Sequence, residues 1–175
     1  FRDAIVSNNN SNIQDLPKKA IVGTSSIRRL MQIIKIRPDL IIKDVRGNID
    51  SRLKKLEENS YDAIVLAHAG LKRLDVKKSY KTIDPRVILP ALGQGAIALV
   101  VNVKNINVNK VIRSLNHTQT FLETECERIF LNALDGSCQT PVGGYAALKK
   151  INNKDKIAFN FIAFSEDGTR CVKDK

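Results

Sequence analysis

The sequence predicts an α/β fold: a doubly wound sheet, parallel or mixed, followed by a small α/β unit with an antiparallel sheet. Three segments within the first 75 residues share one plan, in which a short apolar strand leads through a turn into a helix. Strands and helices that alternate at this spacing favour a parallel sheet covered by helices, with right-handed crossovers. After residue 140 the chain shows β-rich runs separated by turns, which is typical of antiparallel strands.

The first of the three units is KKAIVGTSSIRRL. Its strand ends at Gly23, and the Thr-Ser-Ser run that follows is suited to cap a helix. Apolar side chains then recur at the spacing of one helical face, at Ile27, Leu30, Met31 and Ile34. We expect this helix to end before Pro38, because the residue preceding a proline disfavours helical geometry.

The second and third units repeat this plan. DLIIKDVRGNIDSRLKKLEE contains a strand, a turn at residues 46–48, and a helix whose apolar face carries Ile49, Leu53 and Leu56. YDAIVLAHAGLKRL supplies a third strand, a turn and the start of a helix. Together the three units predict a sheet with at least three parallel strands.

The remainder of the chain has a different character. KTIDPRVILPALGQGAIALVVNV begins with a turn at Asp84-Pro85, bends at residues 93–95 and ends in a β-rich apolar run. NVNKVIRSLN predicts a short helix, and TQTFLETECERIFLNALDG a longer one capped by Gly136. VGGYAAL, KIAFNFIAFS and TRCV predict a small antiparallel sheet covered by the longer helix. The apolar face expected for the longer helix comprises Leu122, Cys126, Ile129, Phe130, Ala133 and Leu134.

Composition and charge narrow the classes of function. Hydrophobic residues make up 43% of the chain, and no run approaches the roughly 20 apolar residues of a membrane span. We expect a soluble, cytoplasmic protein without a membrane partner, or a plastid protein if a transit peptide has been removed. The net charge of +11 favours an anionic partner. Nucleic acid is not expected, because aromatic residues are only 5%, tryptophan is absent and no helix-turn-helix or zinc-finger spacing occurs.

The cysteines and histidines support neither a disulfide framework nor a metal site. Three cysteines without C-x-x-C spacing cannot form such a framework, and His68 and His117 lie far apart in the sequence. We interpret Cys126 as a small core residue and Cys171 as a strand residue. Cys138 instead follows a helix end in the turn GSCQTP, where an accessible thiol is either incidental or chemically used. No histidine motif supplies a base for a Cys-His nucleophile.

Serines and arginines gather where the three predicted strands end. Ligands of parallel sheets bind at the carboxyl ends of the strands. An arginine in the first turn of a helix faces the positive end of the helix dipole, which an external anion would offset. The sequence therefore predicts a ligand with several carboxylates or phosphates, and the absence of the usual Gly-rich phosphate motifs argues against a nucleotide. The candidate ligand residues are Ser25, Ser26, Arg28, Arg29, Arg46, Arg52 and Arg73.

Two alternatives stay open for these residues. Each arginine is either a ligand-binding group, or it is a surface residue or pairs with a nearby aspartate such as Asp44 or Asp50. The Gly93-Gln94-Gly95 bend is either a tight turn alone or a contact to a ligand at a domain junction, through Gln94 and the backbone amides.

Five motifs, taken together and in order, resemble those of the porphobilinogen deaminases, also called hydroxymethylbilane synthases. The motifs are GTSSIRR, VRGNIDSRLKKL, AGLKRL, LPALGQGAIAL and LDGSCQTP, and the resemblance runs from Arg2 to the end of the chain. It implies three domains: two doubly wound domains similar to periplasmic binding proteins, and a small α/β domain that carries the cofactor. Residues 1–90 would be the second domain, 91–116 a hinge and a strand segment returning to the missing first domain, and 117–175 most of the third.

The resemblance also implies an activity. Such a transferase joins four porphobilinogen units head to tail into hydroxymethylbilane, releasing ammonia, on a dipyrromethane primer held by a thioether. Cys138 would be the attachment site, although Ser137 stands where the family usually has a second glycine. The serines and arginines at the strand ends, with Gln94 and Gly95, would hold the carboxylates of cofactor and substrate.

The resemblance implies limits as well. The catalytic aspartate of the family lies in the first domain, so no catalytic residue and no metal site are assigned to this chain. We expect the chain alone to be inactive and the full-length protein to be a monomer. A small-anion binding module, such as a bilobed receptor or a regulator's effector domain, is the alternative, but it leaves Cys138 without a task. Nucleic-acid binding would explain the charge alone.

Overall fold

The computed structural model describes residues 1–134 and 140–174 and contains two sheets. The first sheet has five strands: β1 (Asp3–Ser7), β2 (Ile21–Gly23), β3 (Ile41–Lys43), β4 (Ala63–Ala67) and β5 (Lys81–Thr82). Their order across the sheet is β3-β2-β4-β1-β5. The predicted α/β class is confirmed in its coarse form, as a mixed sheet with helices and a separate antiparallel sheet.

The strand directions explain why the first sheet is mixed. Strands β2, β3 and β4 come from the three predicted units and are parallel. Strand β1, which the sequence analysis did not identify, pairs antiparallel with β4 and with β5. Its register sets Asp3 opposite Ala67. The start of β1 therefore lies at the edge where the parallel strands end.

The helices between these strands cover both faces of the sheet. They are α1 (Ile27–Ile36), α2 (Ile49–Glu57) and α3 (His68–Arg73). One apolar cluster contains Ile5 and Val65 of the strands with Ile33 of α1, and alternate residues of the same strands pack with α2 and α3. Neighbouring residues of a strand face opposite sides, so β1 and β4 contribute to both clusters.

The buried face of α1 differs from the one predicted. The predicted apolar stripe leaves Ile34 41% exposed, whereas Arg28, Arg29, Gln32 and Ile33 are buried. Ser26 caps the helix by accepting a hydrogen bond from the Arg29 amide, and the helix ends before Pro38 as predicted. The physical reason for the difference is a buried carboxylate on β1, described below, which turns the polar side of the helix inward.

The stretch after β5 also differs from the prediction. Residues 96–103, expected to form an apolar strand, lie outside any helix or strand. Ile97, Val100 and Val103 are 78%, 92% and 86% exposed. A strand needs a neighbour for its backbone hydrogen bonds, and none of the described strands pairs with these residues. Helix α4 (Ile106–Arg113), which follows, has no buried residue.

The last unit pairs one helix with a three-stranded antiparallel sheet. Helix α5 (Thr118–Ala133) precedes β6 (Val142–Ile151), β7 (Lys154–Phe164) and β8 (Cys171–Asp174), in the order β6-β7-β8. Phe130 of α5 packs on Phe159 and Phe161 of β7 with ring centroids 4.9 and 4.8 Å apart. The helix thus covers one face of the sheet as predicted.

The predicted apolar face of α5 is only partly correct. Ile129 is 62% exposed, while Glu127 is 6% exposed and is the one buried residue recorded for the helix. Cys126 is half-buried. Gly136, which was predicted to cap the C-terminus of this helix, lies outside the described residues. Glu127 takes the buried place because two backbone amides need its carboxylate, as shown below.

The described residues contain neither a membrane-spanning helix nor a cluster of metal-ligating side chains. No helix there is both long enough and apolar enough to cross a membrane. Within residues 1–134 and 140–174, no three histidine, cysteine, aspartate or glutamate side chains are grouped so that they could hold a metal ion.

Candidate functional site

A buried carboxylate and two buried arginines form the centre of the strand-end edge. Asp3 Oδ2 lies 2.8 Å from Arg28 Nη1, and Asp3 Oδ1 lies 2.8 Å from Arg29 Nη2. The Asp3 side chain is fully buried, and the two arginines are 4% and 8% exposed. Gln94 joins the group through Nε2, which donates to Asp3 Oδ1 at 3.0 Å. We call Asp3, Arg28, Arg29 and Gln94 the Asp3 cluster.

Backbone carbonyls complete the Asp3 cluster. Arg28 Nη1 donates to the Leu89 carbonyl and Arg29 Nη1 to the Val65 carbonyl, at 2.5 and 3.0 Å. Each guanidinium thus bridges Asp3 and a neighbouring chain segment. Such bridging satisfies buried donors that would otherwise be costly.

Charge within the Asp3 cluster follows from burial and from these pairs. Burial opposes ionisation of the Asp3 carboxyl, but Arg29 and Arg28 outweigh it and hold the pKa of Asp3 below its ordinary value. Burial lowers the pKa of Arg28, and the Asp3 carboxylate counteracts that shift. Because Asp3 is ionised and arginine stays protonated in proteins, the cluster carries one net positive charge. A partner anion at this edge is therefore favoured.

Gln94 ties the cluster to the beginning of the chain. Its Nε2 also donates to the Phe1 carbonyl at 2.6 Å, and its Oε1 accepts from Arg28 Nη2 at 3.4 Å. Gly95 has a φ of +88°, and a Cβ there would lie 3.3 Å from the Phe1 backbone. Both a left-handed conformation and this close approach favour glycine at the position. The predicted Gln94–Gly95 contact region is thus a junction between two chain segments.

The other predicted ligand residues follow the ends of β2 and β3 in the chain. Ser25 is exposed and donates through Oγ to the Val45 carbonyl at 2.6 Å, and Ser26 caps α1. Arg46 is exposed and pairs with Asp44 at 2.7 Å, as the alternative interpretation allowed. Arg52 donates through Nε to the Gly47 carbonyl at 2.7 Å.

Arg73 is the remaining predicted site residue. It is the last residue of α3 and is exposed. Within the described part of the chain, the structure brings Arg28, Arg29 and Gln94 together in the Asp3 cluster. Ser25, Arg46 and Arg52 instead have hydrogen-bond partners outside the cluster.

Strand β6 of the last unit packs directly against the cluster. A Cβ at Gly143 would lie 3.0 Å from the Leu89 carbonyl oxygen and 3.2 Å from Arg28 Cδ. The Gly144 amide donates to the Pro90 carbonyl at 2.9 Å. These distances are shorter than most Cβ contacts, so glycine at this position favours the close approach of β6 to Arg28. Cys138 lies outside the described residues, five positions before Gly143 in the sequence.

Glu127 is a second functional residue that the sequence analysis missed. Its Oε1 accepts from the Ala146 amide of β6 at 2.8 Å, and its Oε2 accepts from the Gly93 amide at 2.5 Å. Burial raises the pKa of the Glu127 carboxyl, and the two amides act in the opposite direction. One carboxylate thus holds α5, β6 and the Gly93 bend together.

We expect Glu127→Gln to lower the free energy of unfolding of the full-length protein by about 1–3 kcal/mol, because one buried amide then faces an NH₂ group instead of an oxygen. Urea denaturation measures the loss. Glu123→Gln is the matched control: Glu123 contacts one backbone amide, that of Leu148, through Oε1 at 2.9 Å, and glutamine keeps that oxygen. Equal losses in the two variants would contradict the role given to Glu127.

Neither missed residue had a strong sequence signal. Asp3 is the one charged position in the otherwise small and apolar run DAIVS, a pattern that deserved interpretation as a strand with a buried charge. Glu127 stands beside the predicted apolar face of α5, among other acidic residues of that helix. An acidic residue on a helix flank is ordinarily solvated, so nothing local marked it.

Comparison with known proteins identifies the family. The family model described as "Porphobilinogen deaminase, dipyromethane cofactor binding domain" matches residues 1–110, and that of the "Porphobilinogen deaminase, C-terminal domain" matches residues 121–175. The chain belongs to the porphobilinogen deaminase family. The resemblance found in the sequence motifs is therefore confirmed.

Individual porphobilinogen deaminases match at substantial identity. The chain is 42% identical over 175 residues to the porphobilinogen deaminase of Oceanobacillus iheyensis, covering 99% of this chain and 55% of that protein. It is 49% identical over 149 residues to that of Buchnera aphidicola subsp. Acyrthosiphon pisum (strain Tuc7), covering 85% of this chain and 48% of the relative. The chain thus spans about half the length of the curated relatives that it matches.

Proposed function

We propose that the chain is part of a porphobilinogen deaminase, a transferase of tetrapyrrole synthesis. The full-length protein would join four porphobilinogen units head to tail, releasing one ammonia per unit, and hydrolysis by water would then free hydroxymethylbilane from the primer. The observation that carries the proposal is the Asp3 cluster. It holds two guanidinium groups and one carboxylate at the strand-end edge, so its net charge is one positive unit. Each porphobilinogen unit brings two carboxylates, and guanidinium groups bind carboxylates in a fork geometry.

The residues present fit a dipyrromethane cofactor. Its side-chain carboxylates need cationic and hydroxyl donors, and the edge offers Arg28 and Arg29, with the exposed Ser25 and Arg46 beside them. When bound, the group supplies the free pyrrole end to which the first substrate unit is added. The proposed attachment site is the Cys138 thiol. Gly143, five positions later, has its backbone against Arg28, so the chain leads from the attachment position to the cluster.

The arginines of this chain hold carboxylates and leave proton transfer to another part of the protein. Several ion pairs of modest strength suit a product that must move as it lengthens better than a single tight clamp. We propose that the general acid and base is an aspartate in the part of the protein beyond this chain. None of the described aspartates is assigned that role, because in this family the catalytic aspartate is expected in the first domain. Asp3, the aspartate of the cluster, is moreover fully buried between two arginines.

The proposed domain organisation follows the same family. Residues 1–90 form a domain similar to those of periplasmic binding proteins, 91–116 cross to the first domain, and 117–175 form the third. The exposed apolar residues between 97 and 103 support this crossing, because an unpaired run of strand-forming residues can pair with a strand of the first domain. We further propose a cytoplasmic monomer, or a plastid one. The alternative of a small-anion binding module is not favoured by the family match.

The test is turnover by the full-length protein that contains these residues. We expect hydroxymethylbilane to form from porphobilinogen with one ammonia released per unit consumed, measured by product absorbance and an ammonia assay. The 175-residue chain alone should form none. A full-length protein that does not consume porphobilinogen would contradict the proposed function. Turnover by the chain alone would contradict only the location of the general acid and base.

A further inference from the structure

The two arginines of the Asp3 cluster pose an electrostatic problem. Arg28 and Arg29 are consecutive residues in the first turn of α1, and both lie toward the positive end of the helix dipole. Both side chains are also buried, where like charges repel more strongly than in water. Two such guanidinium groups do not stay side by side unless an anion compensates them.

Asp3 is the anion that compensates both. Its two oxygens are divided between the arginines: Oδ2 accepts from Arg28 Nη1, and Oδ1 accepts from Arg29 Nη2 and, at 3.2 Å, from Nε. The carboxylate is fully buried, so it does not itself receive ligand. Its contacts are therefore with the arginines and Gln94 rather than with solvent.

The backbone of Asp3 is fixed as firmly as its side chain. Strand β1 pairs Asp3 with Ala67, and the Ile83 amide donates to the Asp3 carbonyl at 2.8 Å. The carboxylate thus stands on a strand held from both sides, at the edge where β4 ends. A rigid element places a charged group more precisely than a loop does.

We propose that Asp3 is a positioning residue, whose single carboxylate holds the guanidinium groups of Arg28 and Arg29 side by side and so sets how they receive substrate carboxylates. This inference rests on the proposed function. Without Asp3, the Leu89 and Val65 carbonyls still hold one guanidinium each, but nothing offsets the repulsion between the two. The pair would then separate, and a carboxylate would meet one arginine instead of two.

The experiment measures steady-state kinetics of the full-length protein with porphobilinogen. Asp3→Asn should raise KM about tenfold, the effect of losing one charged hydrogen bond, with a smaller change in kcat. Asp3→Glu keeps the charge but shifts it by one methylene, so we expect it to fold and to raise KM about threefold. A wild-type KM in either Asp3→Asn or Asp3→Glu would overturn the inference. If Asp3→Asn does not fold, the KM of Asp3→Glu alone decides the test.

Asp39→Asn is the matched control. It removes another arginine–aspartate pair, in which Arg37 Nη2 and Asp39 Oδ2 are 2.6 Å apart, just beyond the far end of α1. It should leave KM unchanged. A KM raised as much as in Asp3→Asn would show a general loss of stability and overturn the inference.

A double-mutant cycle with Arg29→Gln separates positioning from bulk stability. If Asp3 acts through the arginines, Asp3→Asn should raise KM much less in the Arg29→Gln background than in the wild type. Equal factors in the two backgrounds would overturn the inference while leaving the proposed function intact. A wild-type protein without turnover would instead contradict the proposed function, and this inference with it.

Discussion

Full-length protein with Cys138 replaced by serine should carry no covalent dipyrromethane and form no hydroxymethylbilane. A thiolate is a far better nucleophile near neutral pH than a serine hydroxyl, so serine cannot take over the attachment. Intact-protein mass spectrometry should show a dipyrromethane-sized addition in the wild type that is absent from Cys138→Ser. An unmodified wild-type mass in active enzyme would contradict the assignment.

The other two cysteines supply matched controls for this experiment. Cys126 is half-buried on α5, where burial raises the pKa of its thiol and so disfavours the thiolate. Cys171 lies in β8, with its sulfur 3.0 Å from Lys35 Nζ. Cys126→Ser and Cys171→Ser should both keep the added mass and the turnover. If the added mass were lost in Cys126→Ser or Cys171→Ser but kept in Cys138→Ser, the attachment site would be assigned to that other cysteine instead.

Replacing Arg28 or Arg29 by leucine should lower both stability and cofactor content. Each change removes one of the two guanidinium groups bound to the Asp3 carboxylate and takes a donor from a buried backbone carbonyl, a loss that costs about 1–3 kcal/mol. The same change removes a carboxylate-binding guanidinium from the proposed site. Urea denaturation and intact mass measure the two effects in the full-length protein.

Arg46→Leu is the informative comparison for these variants. Arg46 is 87% exposed in its pair with Asp44, and exposed pairs contribute little to stability. We therefore expect the free energy of unfolding of Arg46→Leu to be unchanged. Its cofactor content or turnover should fall, because a guanidinium group predicted to bind a carboxylate is lost. Unchanged turnover and cofactor content in folded Arg28→Leu or Arg29→Leu would remove these arginines from the site.

The strand–turn–helix units could be predicted because their signals are local. Hydrophobic spacing, capping residues and the glycine at the end of β2 each concern a few neighbouring positions. Strand β1 was not recognised because no α-helix follows DAIVS to complete the strand–turn–helix pattern. Its antiparallel place between β4 and β5 depends on pairing across 56 to 78 positions of sequence, from Ser7↔Ala63 to Ala4↔Thr82, which no local pattern records.

The buried face of α1 shows why hydrophobicity alone was insufficient. The prediction took the buried face of α1 from its apolar side chains alone, and charged and amide side chains are rarely buried without partners. The partner of both arginines is Asp3, 25 and 26 positions away, and Gln32 binds the Leu89 backbone, 57 positions away. The strand-end rule indicated which arginines to consider, but it carried no information about their burial.

The apolar run at residues 96–103 makes a similar point about strands. Its composition is typical of a strand, yet a strand forms only beside another backbone. The described residues provide no such neighbour, so the run stays exposed. The composition of residues 96–103 therefore indicated that the run can form a strand, but whether it does so depends on a neighbouring strand.

The contact between Phe1 and the Gln94–Gly95 turn couples that turn to the Asp3 cluster. Gln94 Nε2 donates to the Phe1 carbonyl at 2.6 Å and to Asp3 Oδ1 at 3.0 Å, and Gly95 lies against the Phe1 backbone. One side-chain amide thus joins segments that are 93 and 91 positions apart in the sequence. A movement of the turn away from Phe1 would therefore also withdraw a hydrogen-bond donor from the Asp3 carboxylate.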